Sequence, residues 1–164
     1  MSPRNRRSLA GLAMACSVLA ADQASKAWIL YGLKLPDLGS IAVLPFLNFT
    51  MVWNHGVTFG LFTSQGRAAP YLLGGIALVV VIALGVWLRG ASSLRIALPI
   101  GAVAGGAIGN IIDRLRFGAV EDFIHAHALG YSWYVFNVAD AAIVCGVAML
   151  MLDTLIERRA AGRN

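Results

Sequence analysis

The chain has 164 residues, of which 59% are hydrophobic and 13% charged, with a formal net charge of +5. That length suggests a single domain, and a soluble domain would carry roughly a quarter charged residues, so the composition excludes an ordinary soluble protein and points to the membrane. Nucleic-acid binding is excluded too, because the basic residues flank apolar runs instead of forming a basic face or an aromatic-interleaved patch.

In chain order, MSPRNRRSLAGLAMAC comes first and looks like a secretory signal, with a basic start, an apolar stretch and small residues before Cys16. Leu12 lies four residues before that cysteine, where a lipoprotein signal has three, and the apolar run continues as SVLAA. The expectation is an uncleaved first helix, a span over 8–30 that contains Asp22 and Lys26. The stretch 31–67 follows as an outer loop. Within it, IAVLPFLNFTMVWN is rich in β-branched and aromatic residues and predicts extended chain. The segment 57–65 predicts a short amphipathic surface helix that acts as a lid.

A second span is predicted over 68–88 and a third over 94–113. The third carries Pro99, which predicts a kink or loosened turn. It also carries Gly101, Gly105 and Gly109, a spacing that lets helix backbones approach closely in lipid. A second outer loop over 114–133 leads to a fourth span over 134–156. Eight of the 13 Lys and Arg residues lie at the two termini and in the connection after the second span. Both termini are therefore expected to be cytoplasmic. The fold expected is an all-α integral membrane protein of four transmembrane helices, with a small strand-rich element in the first outer loop. Cys16 and Cys145 sit in apolar runs and are expected to be small buried residues.

Only eight Asp and Glu residues occur, and Asp37, Asp153 and Glu157 read as solvated. Asp22 lies about 20 Å along the first helix and Asp140 about 9 Å below the outer end of the fourth. With Asp113 and Asp122 they fall near one level, toward the outer face. Acids inside spans usually mark a site. Asp22 reads as a partner of Lys26 on the same helix face, and Asp113 as an ion pair with Arg114. Asp140 has no nearby cation in sequence. A second carboxylate sharing its proton would explain its place, and two such acids activate water and polarise a carbonyl. HExxH and GxSxG are absent from the sequence, and His125 with His127 is a weak zinc pair, so no metal or cofactor is expected.

With these residues in view, the sequence resembles signal peptidase II over nearly its whole length. The segments that carry the resemblance are DQASK at 22–26, NHGVTFG at 54–60, GGAIGNIIDR at 105–114, VEDF at 120–123 and FNVADAAI at 136–143. The resemblance implies an intramembrane aspartic endopeptidase of the bacterial cytoplasmic (inner) membrane, with its site toward the outer or periplasmic face. Its substrate would be a diacylglyceryl-prolipoprotein, cut just before the lipidated cysteine. It would work among membrane lipid, be inhibited by globomycin, and need no more than a monomer. By motif, Asp122 and Asp140 would be the catalytic pair. Asn54, Asn110, Arg114 and Asn137 would line the site, and Asp22 and Asp113 would support it. His55 and Thr58 depart from the family pattern. So does Glu121, which is expected to face water because neighbours on an extended segment point oppositely.

Two rival classes use the same features. A proton-coupled transporter or channel subunit would also need membrane acids, but its site would lie near the midplane between repeated halves, and no repeat is visible. A scaffold protein would explain the glycines without requiring Asp122 and Asp140 together.

Overall fold

The computed structural model describes residues 2–56 and 69–161. Helix α1 runs Pro3–Ala27, capped by Ser2, whose hydroxyl accepts from the Asn5 amide at 3.3 Å. It passes into a π-helical turn, Trp28–Gly32, and then a short helix α2, Leu35–Leu38. Strands β1 (Ser40–Leu44) and β2 (Leu47–Asn54) form a hairpin. Helices α3 (Ala69–Arg89) and α4 (Leu94–Phe117) follow, then β3 (Val120–Ala128), β4 (Tyr131–Ser132) and α5 (Val138–Ala161).

Extended chain was expected at 41–54, and the β1–β2 hairpin lies there. It is half of a larger element. β3, from the second loop, pairs antiparallel with β2, giving the sheet order β1-β2-β3-β4. This pairing also moves two helix ends. α4 runs on to Phe117, where Gly118 ends it in the left-handed conformation at φ 71°. α5 begins at Val138 rather than 134, because Phe136 is taken as an isolated bridge partner of Ile124, with amide–carbonyl bonds of 2.7 and 3.0 Å. The amphipathic stretch 57–65 lies outside the described residues.

Among the described residues three helices are long and apolar enough to cross a membrane: Ala69–Arg89, Leu94–Phe117 and Val138–Ile156, with mean hydropathies of 2.5, 1.5 and 1.9. The 25 residues of α1 give it comparable length, but Arg4, Arg6, Arg7, Asp22, Gln23 and Lys26 lower its apolar content. α4 is the centre of the bundle. A Cβ at Gly101 would strike the Gly11 carbonyl of α1, one at Gly105 the Ala15 carbonyl, and one at Gly109 the Asp22 carboxylate. Its other side meets α5, where Gly146 would bring a Cβ to 2.9 Å from the Pro99 carbonyl. The glycine series thus packs as expected, and Pro99 lies inside a continuous α4. α3 contrasts with it: among its residues only Ala69, Pro70 and Gly74 are buried. Cys16 and Cys145 are exposed on the helix bundle rather than buried, because the inward positions nearby belong to Ala15 and Gly146.

The sheet is fixed to one end of the bundle by Ile29, Leu35 and Phe123, which are all but fully buried. Phe49 packs edge-on to Trp28 and Phe123, with ring centroids 5.9 and 6.1 Å away. The C-terminal ends of α1 and α4, the N-terminus of α5 and the start of β3 therefore converge.

Candidate active site

Two acid groups occupy that convergence. In the first, the Lys26 ammonium lies 2.8 Å from Asp22 Oδ2 and 2.6 Å from Asp113 Oδ2. Gln23 Nε2 donates to both acids at 3.2 Å. Asp22 Oδ1 accepts the Ala139 amide at 2.9 Å, satisfying one of the free donors at the start of α5. Asp22 pairs with Lys26 as expected, but Asp113 does so too, instead of pairing with Arg114. Adjacent residues on a helix do not face each other, and Arg114 Nη1 turns back to the Asn110 carbonyl at 3.0 Å.

In the second group, Asp122 and Asp140 are held by amides. Asn54 Nδ2 donates to Asp122 Oδ2 at 3.0 Å, and Asn137 Nδ2 to Asp122 Oδ1 at 2.7 Å. Asn110 Nδ2 donates to Asp140 Oδ1 at 2.8 Å. Asn137 sits just before α5 and Asp140 is the third residue of that helix. The Asn137 side chain accepts the Asp140 amide at 2.8 Å, and the Asp140 carboxylate accepts the Asn137 amide at 3.3 Å. This is a reciprocal capping box in which one cap residue also reaches the second acid. Asn137 Nδ2 further meets Asn110 Oδ1 at 3.2 Å, and Lys26 Nζ meets the same oxygen at 3.4 Å, joining the two groups.

Known proteins resemble the chain in sequence and in fold. The family described as "Signal peptidase (SPase) II" matches residues 14–156. The chain belongs to the signal peptidase II family. It is 50% identical over 145 residues to the lipoprotein signal peptidase of Methylorubrum extorquens (strain PA1), covering 88% of this chain and 85% of that one. It is 42% identical to the lipoprotein signal peptidase of Rhodopseudomonas palustris (strain ATCC BAA-98 / CGA009), covering 98% of each. A solved structure described as a bacterial membrane enzyme superposes with a TM-score of 0.77 at 30% identity, covering 90% of this chain and 88% of that one. A second structure of the same description gives 0.77 at 30% identity, with 88% and 92% covered.

Members of the signal peptidase II family are aspartic peptidases, and the chain is an enzyme of that class. The eight acids, amides and arginine singled out by motif all lie at the convergence: Asp22, Asn54, Asn110, Asp113, Arg114, Asp122, Asn137 and Asp140. Asp122 is buried and Asp140 half-buried. Asp122 lines a cleft of ≈ 500 Å³ with Val52, Trp53, Asn54, His55, Tyr134 and Val135. Burial first, then the charge of Asp140, pushes the Asp122 carboxyl up to about 6, against the opposing bonds from Asn54 and Asn137. A larger cavity of ≈ 810 Å³, lined by Phe46, His127, Tyr131 and Trp133 among others, contains no acid. Among the described residues no three His, Cys, Asp or Glu side chains are grouped to hold a metal. His125 instead bonds Thr50 and Ser132 at 3.4 and 2.5 Å, within the sheet region.

Two residues depart from the sequence reading. Glu121, expected in water, is completely buried, and both its carboxyl oxygens lack a hydrogen-bond partner among the described residues. The start of β3 is covered on both faces, so pointing away from Asp122 does not mean pointing to solvent. Gln23 was not anticipated as a bridge between Asp22 and Asp113. The signal available was its place in DQASK, beside an acid already assigned to the site.

Proposed function

We propose that the chain removes signal peptides from diacylglyceryl-modified prolipoproteins by cutting before the lipidated cysteine, with Asp122 and Asp140 as a catalytic dyad. The observation that carries this reading is Asn137: its side chain donates to the Asp122 carboxylate and accepts the Asp140 main-chain amide, and its own amide meets the Asp140 carboxylate. Two carboxyls so placed share one proton, because burial and mutual repulsion oppose a second charge. The ionised member takes a proton from water, and the new oxygen bonds to the scissile carbonyl carbon. The protonated member gives its proton to the carbonyl oxygen, leaving a neutral tetrahedral diol. Collapse breaks the C–N bond as a proton passes to the nitrogen. The products are a signal peptide ending in a carboxylate and a lipoprotein beginning with the cysteine amine. The proton belongs to the pair rather than to one named acid.

Asn54, Asn110 and Asn137 aim the carboxyls. Arg114, whose Nε is buried without a hydrogen-bond partner among the described residues, offers donors to the substrate backbone. Asp22 and Asp113 take no chemical step; through Lys26 they hold α1 against α4. In this reading α1 is a fourth span despite its polar residues, both termini are cytoplasmic, and the site opens at the periplasmic side of the inner membrane. That placement suits a substrate whose acyl chains and signal helix are both in lipid. Membrane lipid and a globomycin-type inhibitor are the other expected ligands, no cofactor is required, and a monomer has every residue the chemistry needs.

A gel-shift assay in detergent micelles tests this. Purified enzyme should cleave a diacylglyceryl-modified prolipoprotein and leave its unlipidated form intact. Cleavage should be insensitive to chelator and absent in Asp122→Asn and Asp140→Asn. Equal cleavage of both substrates would sink the lipid requirement, and activity in either variant would sink the dyad.

A further inference from the structure

Glu121 is not used by the chemistry above, yet it is one of the most deeply buried acids in the chain. Its exposure is 0% and neither carboxyl oxygen has a hydrogen-bond partner among the described residues. An ionised carboxylate in that setting is strongly disfavoured. On β3 it lies on the face opposite Asp122, the same face as Phe123, whose ring belongs to the core beneath the sheet. Its own amide donates to Asp113 Oδ2 at 3.4 Å, so β3 starts directly against the Lys26 cluster.

The charged groups around it come from three elements. α1 supplies Asp22 and Lys26, α4 supplies Asp113 and Arg116, and β3 itself supplies Asp122, the next residue. The Lys26 ammonium is already engaged by Asp22 and Asp113 at 2.8 and 2.6 Å. A third carboxylate would leave three negative charges around that single ammonium, with Arg116 exposed at the margin. Burial first, then the charge of Asp113, pushes the Glu121 carboxyl up to about 8.

We propose that Glu121 is a positioning residue: its neutral carboxyl seats the start of β3 on the Asp22–Lys26–Asp113 cluster, and its ionisation moves β3, and Asp122 with it, away from Asp140. The inference rests on the reading of Asp122 and Asp140 as the dyad. The neutral form tolerates the dry site and the two neighbouring carboxylates; the ionised form repels both. Asp122 follows in the same strand, and a displacement of about 1 Å in a reacting group can slow catalysis roughly 100-fold.

The test compares wild type, Glu121→Gln and Glu121→Ala in the lipidated-substrate assay and in thermal unfolding, across pH. Gln keeps the size and remains neutral, so E121Q should cleave within about threefold of wild type at pH 6. E121A, which leaves a gap beneath β3, should be about tenfold or more slower. As pH rises through about 8, wild type should lose activity more steeply than E121Q, because only wild type can ionise there. Stability has a defined sign. A folded-state value of about 8 against an ordinary 4.5 gives stability that is present below about 4.5 and lost as pH rises toward 8. The melting temperature of wild type should therefore fall more than that of E121Q over this interval. Identical pH dependence in wild type and E121Q, or E121Q as impaired as E121A, overturns the proposal. If wild type itself fails to cleave, the peptidase reading fails, and the melting comparison still decides whether Glu121 is held neutral.

Discussion

Asp22 and Asp113 meet an ammonium, whereas Asp122 and Asp140, one step away in the same convergence, meet amides. The difference shows how one residue type can serve two ends. Lys26 bridges its two acids, one from α1 and one from α4, and so ties the two helices together. Asn54, Asn110 and Asn137 orient their acids without bringing a cation to them, as the proposed proton-sharing pair requires. A cation in hydrogen-bond contact would fix the proposed dyad as firmly but would remove the basicity its chemistry needs.

The largest effect that tests this contrast is on turnover. Asp122→Asn or Asp140→Asn should lower cleavage of the lipidated substrate by about 10³-fold or more, while each variant still melts cooperatively in detergent. Lys26→Met should act on the fold instead. It leaves two buried carboxylates without their cation, a loss of about 3–5 kcal/mol, visible as a sharply lowered melting temperature. A Lys26→Met protein as stable as wild type would remove the distinction between the two groups. Asn137→Ala should fall between these extremes. It deletes the bond to Asp122 and the cap on Asp140, so kcat should drop roughly ten- to a hundredfold, from about 1–3 kcal/mol per unsatisfied buried partner, with a smaller change in KM.

The smallest effect is on the pH dependence of stability. Asp122 is raised in the folded protein from an ordinary 3.8 to about 6. Its contribution is thus present below about 3.8 and lost as pH rises through about 6. Wild type should lose melting temperature over that interval, and Asp122→Asn should show a flatter profile. Parallel slopes would mean that Asp122 is not held in a dry site beside a second acid.

Much of this arrangement was legible from the chain because it depends on local spacing. The four-position spacing of Asp22 and Lys26 places them on one helix face, and they pair. The glycines at 101, 105 and 109 define a stripe, and it meets α1. The motif residues at 54, 110, 122, 137 and 140 are brought together by hydrogen bonds. The sequence N-V-A-D also contained a capping box that spacing alone could have disclosed. What was not legible depends on pairing at long range. Nothing local says that β3 joins a hairpin some 70 residues earlier, or that its start, with Glu121, is buried on both faces. Asp113 was matched to the adjacent Arg114 when its partner lay 87 positions away, on α1.

The contacts between α4 and α1 have one more consequence. Gly101, Gly105 and Gly109 each meet a particular atom of the opposing helix, two of them main-chain carbonyls. The two helices are therefore indexed like the teeth of a rack, and neither can slide without backbone striking backbone. The height of the acids is set by this indexing and not by the girth of the surrounding bilayer. α3, in which only Ala69, Pro70 and Gly74 are buried, is left as the member freest to tilt in a thicker or thinner membrane, which would refit the enzyme to another lipid environment without recutting its site.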